Sequence, residues 1–195
     1  MFDLNQHSHR RYNPLTGEWL IVSPHRTQRP WQGQVENAVR PHLLSYDPDC
    51  YLCPDNQRAG SKANPRYEGV FVFDNDFAAL TPDVPQGRSD GSGLFEWASE
   101  RGICRVICFS PDHSLTLSRM TVEGITSVIE AWSEQYAELA AKEFIGHVQI
   151  FENRGQMMGA SNPHPHGQIW ASESIPNEPE KEIRTQAAYA ERNGG

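Results

Sequence analysis

Short runs of apolar residues separated by turn-forming segments recur along the chain, a pattern typical of β-strands joined by loops. In one run Phe71 and Phe73 alternate with valines, so alternate side chains are expected on opposite faces of a sheet. The strands predicted on this basis are Glu18–Pro24, Tyr67–Phe77, Gly102–Pro111, His147–Asn153 and Gly167–Ser172. The last two are expected to pair with each other after a long loop.

Met120–Phe144 has the spacing of an amphipathic helix. Its apolar residues recur at three- and four-residue steps and form one stripe, and they are Ile125, Val128, Ile129, Trp132, Tyr136 and Leu139. Thr121 is the predicted N-cap residue, and a second helix is predicted over Pro176–Arg192, where acidic residues occupy the first turn. This order of strands and helices predicts an α+β domain with an antiparallel sheet and packed helices.

Length, charge and hydropathy narrow the class of protein. The 195 residues suit a single domain over residues 1–195, with an exposed loop at residues 81–93, which are rich in proline, glycine and serine. A net charge of −8 argues against general electrostatic binding of nucleic acid. No apolar run approaches the roughly 18 residues of a membrane span. The N-terminal residues lack the apolar segment of a secretory signal, so a cytoplasmic location is expected.

The four cysteines fall into two pairs. Cys104 and Cys108 lie in a predicted strand and are expected in the core. Cys50 and Cys53 form a CxxC in a turn-rich segment, and such a turn can direct two thiolates at one tetrahedral zinc ion. A lone CxxC also fits a redox pair or two unpaired thiols, and zinc is the favoured interpretation.

The sequence Pro-His-Pro-His-Gly contains two further candidates for chemistry, His164 and His166. A residue before proline favours extended backbone, and residues two apart in an extended segment face the same side. The two imidazoles can therefore bind one metal together, or one can bind metal while the other reacts. His113, just after a predicted strand, is another candidate ligand. Gly167 would allow close approach of a ligand, and Gln168 can donate to a phosphoryl oxygen.

Several segments together resemble galactose-1-phosphate uridylyltransferases, which belong to the histidine-triad-like superfamily. They are "RRYNPLTGEWLIVSPHRTQRPWQGQ", "FVFDNDFAAL", "RVICFSPDHS", "QIFENRGQMMGASNPHPHGQIWAS" and "PNEPEKE". The resemblance implies a histidine-triad-like fold. It also implies ping-pong transfer of UMP from UDP-glucose to galactose 1-phosphate through a covalent uridylyl-histidine, giving glucose 1-phosphate and UDP-galactose. It extends from Arg10 to Tyr189.

The resemblance also implies roles for individual residues. His166 matches the nucleophile, and Gln168 matches the residue that hydrogen-bonds the phosphoryl group. The family's zinc ligands correspond to Cys50, Cys53, His113 and His164. Substrate contacts correspond to Arg26, Arg29, Leu52, Ala59, Phe73, Asn75, Asp76, Asn153, Gly159, Ala160 and Ser161. The family often has cysteine at the position of Ala160.

Further implications of the resemblance concern metals and partners. Glu182 matches a ligand of a second metal site, which holds iron or zinc. The family's protein has two related halves and is a dimer, whereas this chain matches only the first half. The other ligands of the second metal, and residues that bind the hexose, belong to the half that is absent here. A homodimer is therefore expected.

Two other functions fit the same residues. One is a related adenylyltransferase or nucleotide phosphorylase that uses the same histidine on ADP-linked substrates. The other is a non-catalytic, zinc-stabilised module that binds nucleotides.

Overall fold

A computed structural model describes residues 1–28, 44–155, 158–159 and 162–194. The strands and α-helices in these residues are β1 His9–Asn13, β2 Glu18–Val22, β3 Phe71–Asp74, β4 Gly102–Cys108, α1 Val122–Ala140, β5 His147–Phe151, β6 His166–Ser172 and α2 Asn177–Asn193. Short 3₁₀ helices occur at Pro24–Gln28, Ala59–Ser61 and Leu117–Arg119. No helix in these ranges is both long enough and apolar enough to cross a membrane.

The described residues group into two units. One lies within Met1–Arg40 and Ile175–Gly195 and contains the antiparallel pair of β1 and β2 together with α2. The other lies within Pro41–Ser174 and contains α1 and a four-stranded antiparallel sheet in the order β3-β4-β6-β5. The α+β class with an antiparallel sheet is confirmed. The single domain over residues 1–195 stays a prediction.

The long central strands β4 and β6 determine which side chains share a face of the sheet. Val106 lies opposite Gln168, and Cys108 lies opposite His166. Directly opposed residues point to the same side, and side chains alternate along each strand. One face of β6 therefore carries His166 and Gln168, and its other face carries Gly167 and the apolar residues that follow at alternate positions.

One face of the sheet packs against α1. Its buried core consists of Ile107, Phe109, Val128, Leu139, Val148, Ile169 and Ala171. The N-terminus of α1 is capped as predicted, because the Thr121 hydroxyl accepts a hydrogen bond from the Gly124 amide at 3.1 Å. Arg105 joins the helix to the sheet through Glu138 at 2.6 Å and Asp74 at 3.1 Å. The helix thus covers this face of the sheet, and His166 and Gln168 lie on the opposite face.

The opposite face carries a second buried cluster. It consists of Cys50, Leu52, Cys53, Tyr67, Val106 and Cys108, with Phe71 and Phe73 packed against it. The irregular segment that carries the CxxC is held by side-chain amides. Asn64 donates to the carbonyl oxygens of Tyr51 and Cys53, and Asn56 donates to that of Cys50. These bonds replace the regular ladder that a strand or helix would supply.

Most predicted elements are confirmed, with bounds that differ by one or more residues. The predicted strand Tyr67–Phe77 is ordered as a strand only over Phe71–Asp74, and the second helix ends at Asn193 before the left-handed Gly194, whose φ is 87°. Strand β1 was not predicted, because its sequence HRRYN is polar and its three central residues are exposed. Residues 81–93 form no helix or strand, and most of them are exposed. Cys104 and Cys108 are buried as predicted.

The packing of α1 predicts a large difference between two identical substitutions. Val128 is fully buried against the sheet, whereas Val122 on the same helix is 76% exposed. Val128→Ala should lower the free energy of unfolding by about 2 kcal/mol, because buried methyl groups are lost and a cavity remains. Val122→Ala should change it by less than about 0.5 kcal/mol. Urea unfolding followed by circular dichroism measures both values, and equal losses would contradict this packing.

Candidate functional site

Cys50, Cys53, His113 and His164 form a buried cluster of potential metal ligands. Their donor atoms all lie within 4.8 Å of one another. The turn of the CxxC brings the two thiols together, since the Cys53 amide donates to the Cys50 carbonyl at 3.2 Å. His113 follows β4 and His164 precedes β6, and the antiparallel pairing of these strands brings both to the same end of the sheet. The four residues are therefore positioned to hold a metal ion.

The hydrogen bonds of His164 determine which of its nitrogens can bind metal. Its Nε2 lies 3.0 Å from the Ser110 carbonyl oxygen and 3.0 Å from the Tyr67 hydroxyl. A carbonyl can only accept, so Nε2 carries the hydrogen and Nδ1 keeps its lone pair. Nδ1 lies 3.5 Å from the Cys53 sulfur, inside the cluster. This arrangement matches the usual one, in which a ligating histidine donates its other N–H to a fixed acceptor.

Burial favours the neutral form of the ligands. It lowers the pKa of His164 to about 4, with a further contribution from His113, so this imidazole is neutral near pH 7. Burial likewise raises the pKa of the Cys53 thiol to about 11. A bound cation reverses the second effect, because a coordinated thiol loses its proton. Two sulfur and two nitrogen donors at this separation suit tetrahedral coordination of a zinc-like ion.

Asn162 links the cluster of potential metal ligands to the backbone at His164. Its Nδ2 lies 3.5 Å from the Cys50 sulfur, and its Oδ1 accepts a hydrogen bond from the His164 amide at 2.8 Å. The Leu52 amide lies 3.4 Å from the same sulfur. Donors of this kind stabilise a thiolate and orient it. The sequence pattern does not predict this link, because Cys50 and Asn162 are 112 residues apart.

His166 is oriented by the residue two positions before it. Its Nδ1 lies 2.7 Å from the His164 carbonyl oxygen. Because the carbonyl can only accept, Nδ1 carries the hydrogen, and the neutral ring has its lone pair on Nε2. The ring is half-buried and lines a cavity. One histidine of the HPH pair therefore lies in the metal cluster, and the other presents a nucleophilic nitrogen beside it.

The cavity has a volume of about 430 Å³. The predicted site residues that line it are Leu52, Ala59, Phe73, Asn75, Asp76, Asn153, Gly159, His166 and Gln168. Tyr51, Phe77 and Val106 line it as well. These three could have been inferred from their neighbours, since two adjoin predicted residues in sequence and Val106 lies opposite Gln168. Apolar and polar side chains in one concave site are typical of sites for small ligands.

An arginine whose side chain is only 9% exposed supports the wall of the cavity. The guanidinium of Arg58 lies 3.7 Å from the ring centre of Phe73, and its Nε lies 3.4 Å from Asp76. Lys62 donates to Asp76 at 2.8 Å. Two cations thus compensate the carboxylate of Asp76, whose side chain is only 10% exposed. The carboxylate is held in place while still lining the cavity.

The structure gives Gly167 a different role from the one expected. A Cβ at this position would lie 2.8 Å from the Phe151 carbonyl oxygen and 2.9 Å from the ring of Phe109. Gly167 points to the face that packs against α1, away from His166 and Gln168. Close packing inside the protein therefore requires glycine here, and approach of a ligand does not explain it.

The structure does not assign several predicted residues to the cavity or to the cluster of potential metal ligands. Arg26 is exposed in the 3₁₀ helix Pro24–Gln28, and Glu182 is half-buried on α2, both in the first unit. Within the described ranges, Glu182 belongs to no group of three or more potential metal ligands. Arg29, Ala160 and Ser161 lie outside the described residues. The functional roles of all these residues stay predictions.

Comparisons with known proteins agree with the motifs. The N-terminal domain model of galactose-1-phosphate uridyl transferase matches residues 1–176. The galactose-1-phosphate uridylyltransferase of Haemophilus influenzae is 52% identical over 194 residues, which are 100% of this chain and 55% of that protein. The enzyme of that name from Saccharomyces cerevisiae is 46% identical over 200 residues, covering 96% of this chain and 55% of its own. The chain therefore spans about half the length of the curated relatives it matches.

Solved structures show the same architecture. An ADP-glucose phosphorylase from Arabidopsis thaliana with bound ADP-glucose superposes with a TM-score of 0.69 at 25% identity, over 97% of this chain and 56% of that one. A uridylyltransferase structure superposes with a TM-score of 0.64 at 24% identity, over 97% of this chain and 53% of its own. The second likeness shows the fold alone.

The cluster predicts that metal binding depends on its cysteines and not on cysteine in general. Cys53→Ser removes one of the four donors, so the purified variant should carry almost no metal by plasma mass spectrometry. Cys104→Ser is the matched control, because Cys104 is also buried but lies outside the cluster. This variant should keep the metal content of the unaltered protein, and equal metal content in both variants would exclude the cluster as the site.

Asn162 is expected to tune the affinity for the metal. Asn162→Ala removes the donor near the Cys50 sulfur, and loss of such a supporting contact weakens metal affinity by about 10-fold or more. Competition with a chromophoric chelator measures the affinity. Asn193→Ala, on the exposed end of α2, serves as the control. Unchanged competition by Asn162→Ala would show that the contact does not support the ligand.

Proposed function

The chain belongs to the galactose-1-phosphate uridyl transferase family, and on that basis we propose that it transfers UMP from UDP-glucose to galactose 1-phosphate through a covalent bond to His166. The observation that carries the proposal is the 2.7 Å hydrogen bond from His166 Nδ1 to the His164 carbonyl. It leaves the lone pair of Nε2 at a cavity of about 430 Å³, a size suited to a small ligand.

In the first step, Nε2 of His166 attacks the α-phosphorus of UDP-glucose. The new N–P bond forms as the bond between phosphorus and the bridging oxygen breaks, and glucose 1-phosphate leaves with that electron pair. The ring becomes positively charged, and the hydrogen bond from Nδ1 to the His164 carbonyl stabilises this charge. Gln168 donates to a non-bridging oxygen, on which negative charge is concentrated during the transfer.

In the second step, a phosphate oxygen of galactose 1-phosphate attacks the same phosphorus. The N–P bond breaks, its electron pair returns to Nε2, and UDP-galactose forms. His166 is again neutral, so the cycle needs no net proton and no further reactant. UDP-glucose and UDP-galactose contain similar phosphoanhydride bonds, so the equilibrium constant of the transfer should be close to one.

The cavity residues suit a nucleotide. Leu52, Ala59 and Phe73 would pack against the uracil ring, while Asn75 and Asp76 would contact the uridine ribose. Asp76 is supported by Arg58 and Lys62, so its remaining lone pairs can accept from ribose hydroxyls without an uncompensated buried charge. The phosphate-side contacts are proposed to be Asn153, Gly159, Ala160, Ser161, Arg26 and Arg29.

The metal that best fits Cys50, Cys53, His113 and His164 is zinc, because the donor set is two thiolates and two imidazoles. Zinc would supply a fixed anchor for these side chains, so that the backbone at His164 is held where its carbonyl orients His166. A second site with iron or zinc is also proposed, with Glu182 as one ligand. Among the described residues Glu182 belongs to no group of three or more potential metal ligands, so this site would need further donors.

The proposed substrates and products follow from the family, and they are UDP-glucose, UDP-galactose and the hexose 1-phosphates. A histidine-triad-like fold, a homodimeric assembly and a cytoplasmic location are proposed on the same basis. No nucleic-acid partner and no membrane association are proposed, consistent with the net charge of −8.

A second candidate is transfer from an ADP-linked sugar. The likeness to the ADP-glucose phosphorylase favours it, since the folds superpose with a TM-score of 0.69. Sequence identity weighs against it, because the relatives named as uridylyltransferases reach 52% and the phosphorylase 25%. A non-catalytic nucleotide-binding module remains the third alternative.

The three alternatives differ in which donor forms an adduct with the protein and in whether any adduct depends on His166. With UDP-glucose, intact-protein mass spectrometry should detect a UMP adduct on the unaltered protein and none on His166→Gly, because the attacking nitrogen is gone. His7→Gly, at an exposed position of the first unit, should still form the adduct.

Two results would contradict the uridylyl proposal. An adduct that forms with ADP-glucose and not with UDP-glucose would favour the adenylyl alternative. Equal binding of UMP by the unaltered protein and His166→Gly, with no adduct on either, would favour the binding module.

A further inference from the structure

Trp170 contacts Gln168 through a hydrogen bond that only one orientation of the amide allows. The indole Nε1 lies 3.2 Å from Oε1 of Gln168, and the residues are two apart on the same face of β6. An indole N–H can only donate, and an amide NH₂ can only donate. If the amide were rotated by 180°, two donors would face each other. The contact therefore determines where the oxygen and the nitrogen of Gln168 lie.

This orientation leaves the two N–H groups of Gln168 free to donate elsewhere. Gln168 lines the same cavity as His166, which is two residues earlier on the same face. An anionic phosphoryl oxygen in this cavity would be attracted by an amide NH₂ and repelled by an amide oxygen. The orientation set by Trp170 is thus the one that suits an anionic ligand.

We propose that Trp170 is a positioning residue, which holds the Gln168 amide so that its NH₂ group donates to the phosphoryl group being transferred. The proposal rests on the proposed function of His166. Trp170 does not line the cavity, so it acts through Gln168 and does not touch the substrate. Pre-oriented donors are effective because they need little reorganisation when charge develops.

The indole ring is itself held in place. Its centre lies 5.9 Å from that of Phe151, with the rings nearly perpendicular at 71°. Phe151 lies opposite Gln168 in the pairing of β5 with β6. Edge-to-face aromatic pairs of this kind restrict ring orientation. The strand pairing, the aromatic contact and the hydrogen bond thus form one connected arrangement around the amide.

A positioning role of Trp170 and a purely structural role predict different effects of substitution on the transfer rate. Trp170→Phe keeps an aromatic ring for the contact with Phe151 and removes the N–H donor together with one ring of the indole. The test is the single-turnover rate of UMP transfer from UDP-glucose to the protein, in a double-mutant cycle with Gln168→Ala. Trp97→Phe is the matched control, because Trp97 is exposed and is distant in sequence from Gln168.

The proposal predicts a specific pattern of rates. Trp170→Phe should slow transfer by about 5- to 10-fold at saturating UDP-glucose, the effect of losing one orienting hydrogen bond, with little change in KM. Gln168→Ala should slow it by about 100-fold or more, as loss of a charge-stabilising donor does. In the Gln168→Ala background, Trp170→Phe should change the rate by less than about twofold. An equal effect of Trp170→Phe in both backgrounds would overturn the proposal.

A second measurement keeps the proposal testable if no adduct forms, an outcome that would count against the proposed function alone. In nitrogen-15 NMR spectra, UMP should shift the side-chain NH₂ signals of Gln168 in the unaltered protein. In Trp170→Phe these signals should already differ before UMP is added, and their response to UMP should be smaller. Identical Gln168 signals in both proteins, with and without UMP, would show that Trp170 does not orient the amide.

Discussion

The pairing of β4 with β6 is the constraint on which the rest of the site depends. Its register places Cys108 opposite His166 and Val106 opposite Gln168, so the side chains of His166 and Gln168 face away from α1. The same pairing brings the segment after β4, with His113, to the segment before β6, with His164. A shift of one residue would turn His166 and Gln168 toward the helix and bury them in the core. Gly167 prevents such a shift, because only a residue without a side chain fits against Phe109 and the Phe151 carbonyl.

A continuous set of contacts connects the cluster of potential metal ligands with the cavity. Tyr67 lies 3.0 Å from Nε2 of His164 and stacks on Phe71, which in turn stacks on Phe73, with ring centres 4.9 Å and 5.3 Å apart. Arg58 lies over Phe73 and pairs with Asp76, at the far end of the stack. Burial raises the pKa of the Tyr67 hydroxyl, so it stays protonated and can donate to Leu52 while accepting from His164. Packed side chains therefore connect the cluster of potential metal ligands with the wall of the cavity, as a preorganised site requires.

Local sequence patterns predict the parts of this structure that depend on near neighbours. The alternating runs predict β2 to β6, the apolar stripe predicts α1, and the CxxC and HPH spacings identify three of the clustered ligands as candidates. What they cannot predict depends on contacts between distant residues. Asn162 meets Cys50, and Arg58 meets Phe73, only because the fold brings them together. The same applies to Gly167, since its strand neighbours give no sign of the Phe109 ring that fills the space beside it. Strand β1 is missed because its partner strand, and not its own hydrophobicity, stabilises it.

His164 has two functions that cannot be separated physically. Its ring contributes Nδ1 to the metal cluster, and its backbone carbonyl accepts the hydrogen bond that determines the tautomer of His166. Its backbone amide is held by Asn162, which also contacts the Cys50 sulfur. The ring of His164 belongs to the cluster of potential metal ligands, and its carbonyl and amide are fixed by the same backbone. A change in the cluster would therefore move all three groups. In the proposed transfer, a metal held by these ligands would therefore affect the reactivity of His166 without taking part in the chemistry. A displaced His164 would change both the angle of the His166 ring and the nitrogen that carries its lone pair. The spacing of two residues makes this coupling possible, since it places the carbonyl of His164 within hydrogen-bond reach of the ring of His166.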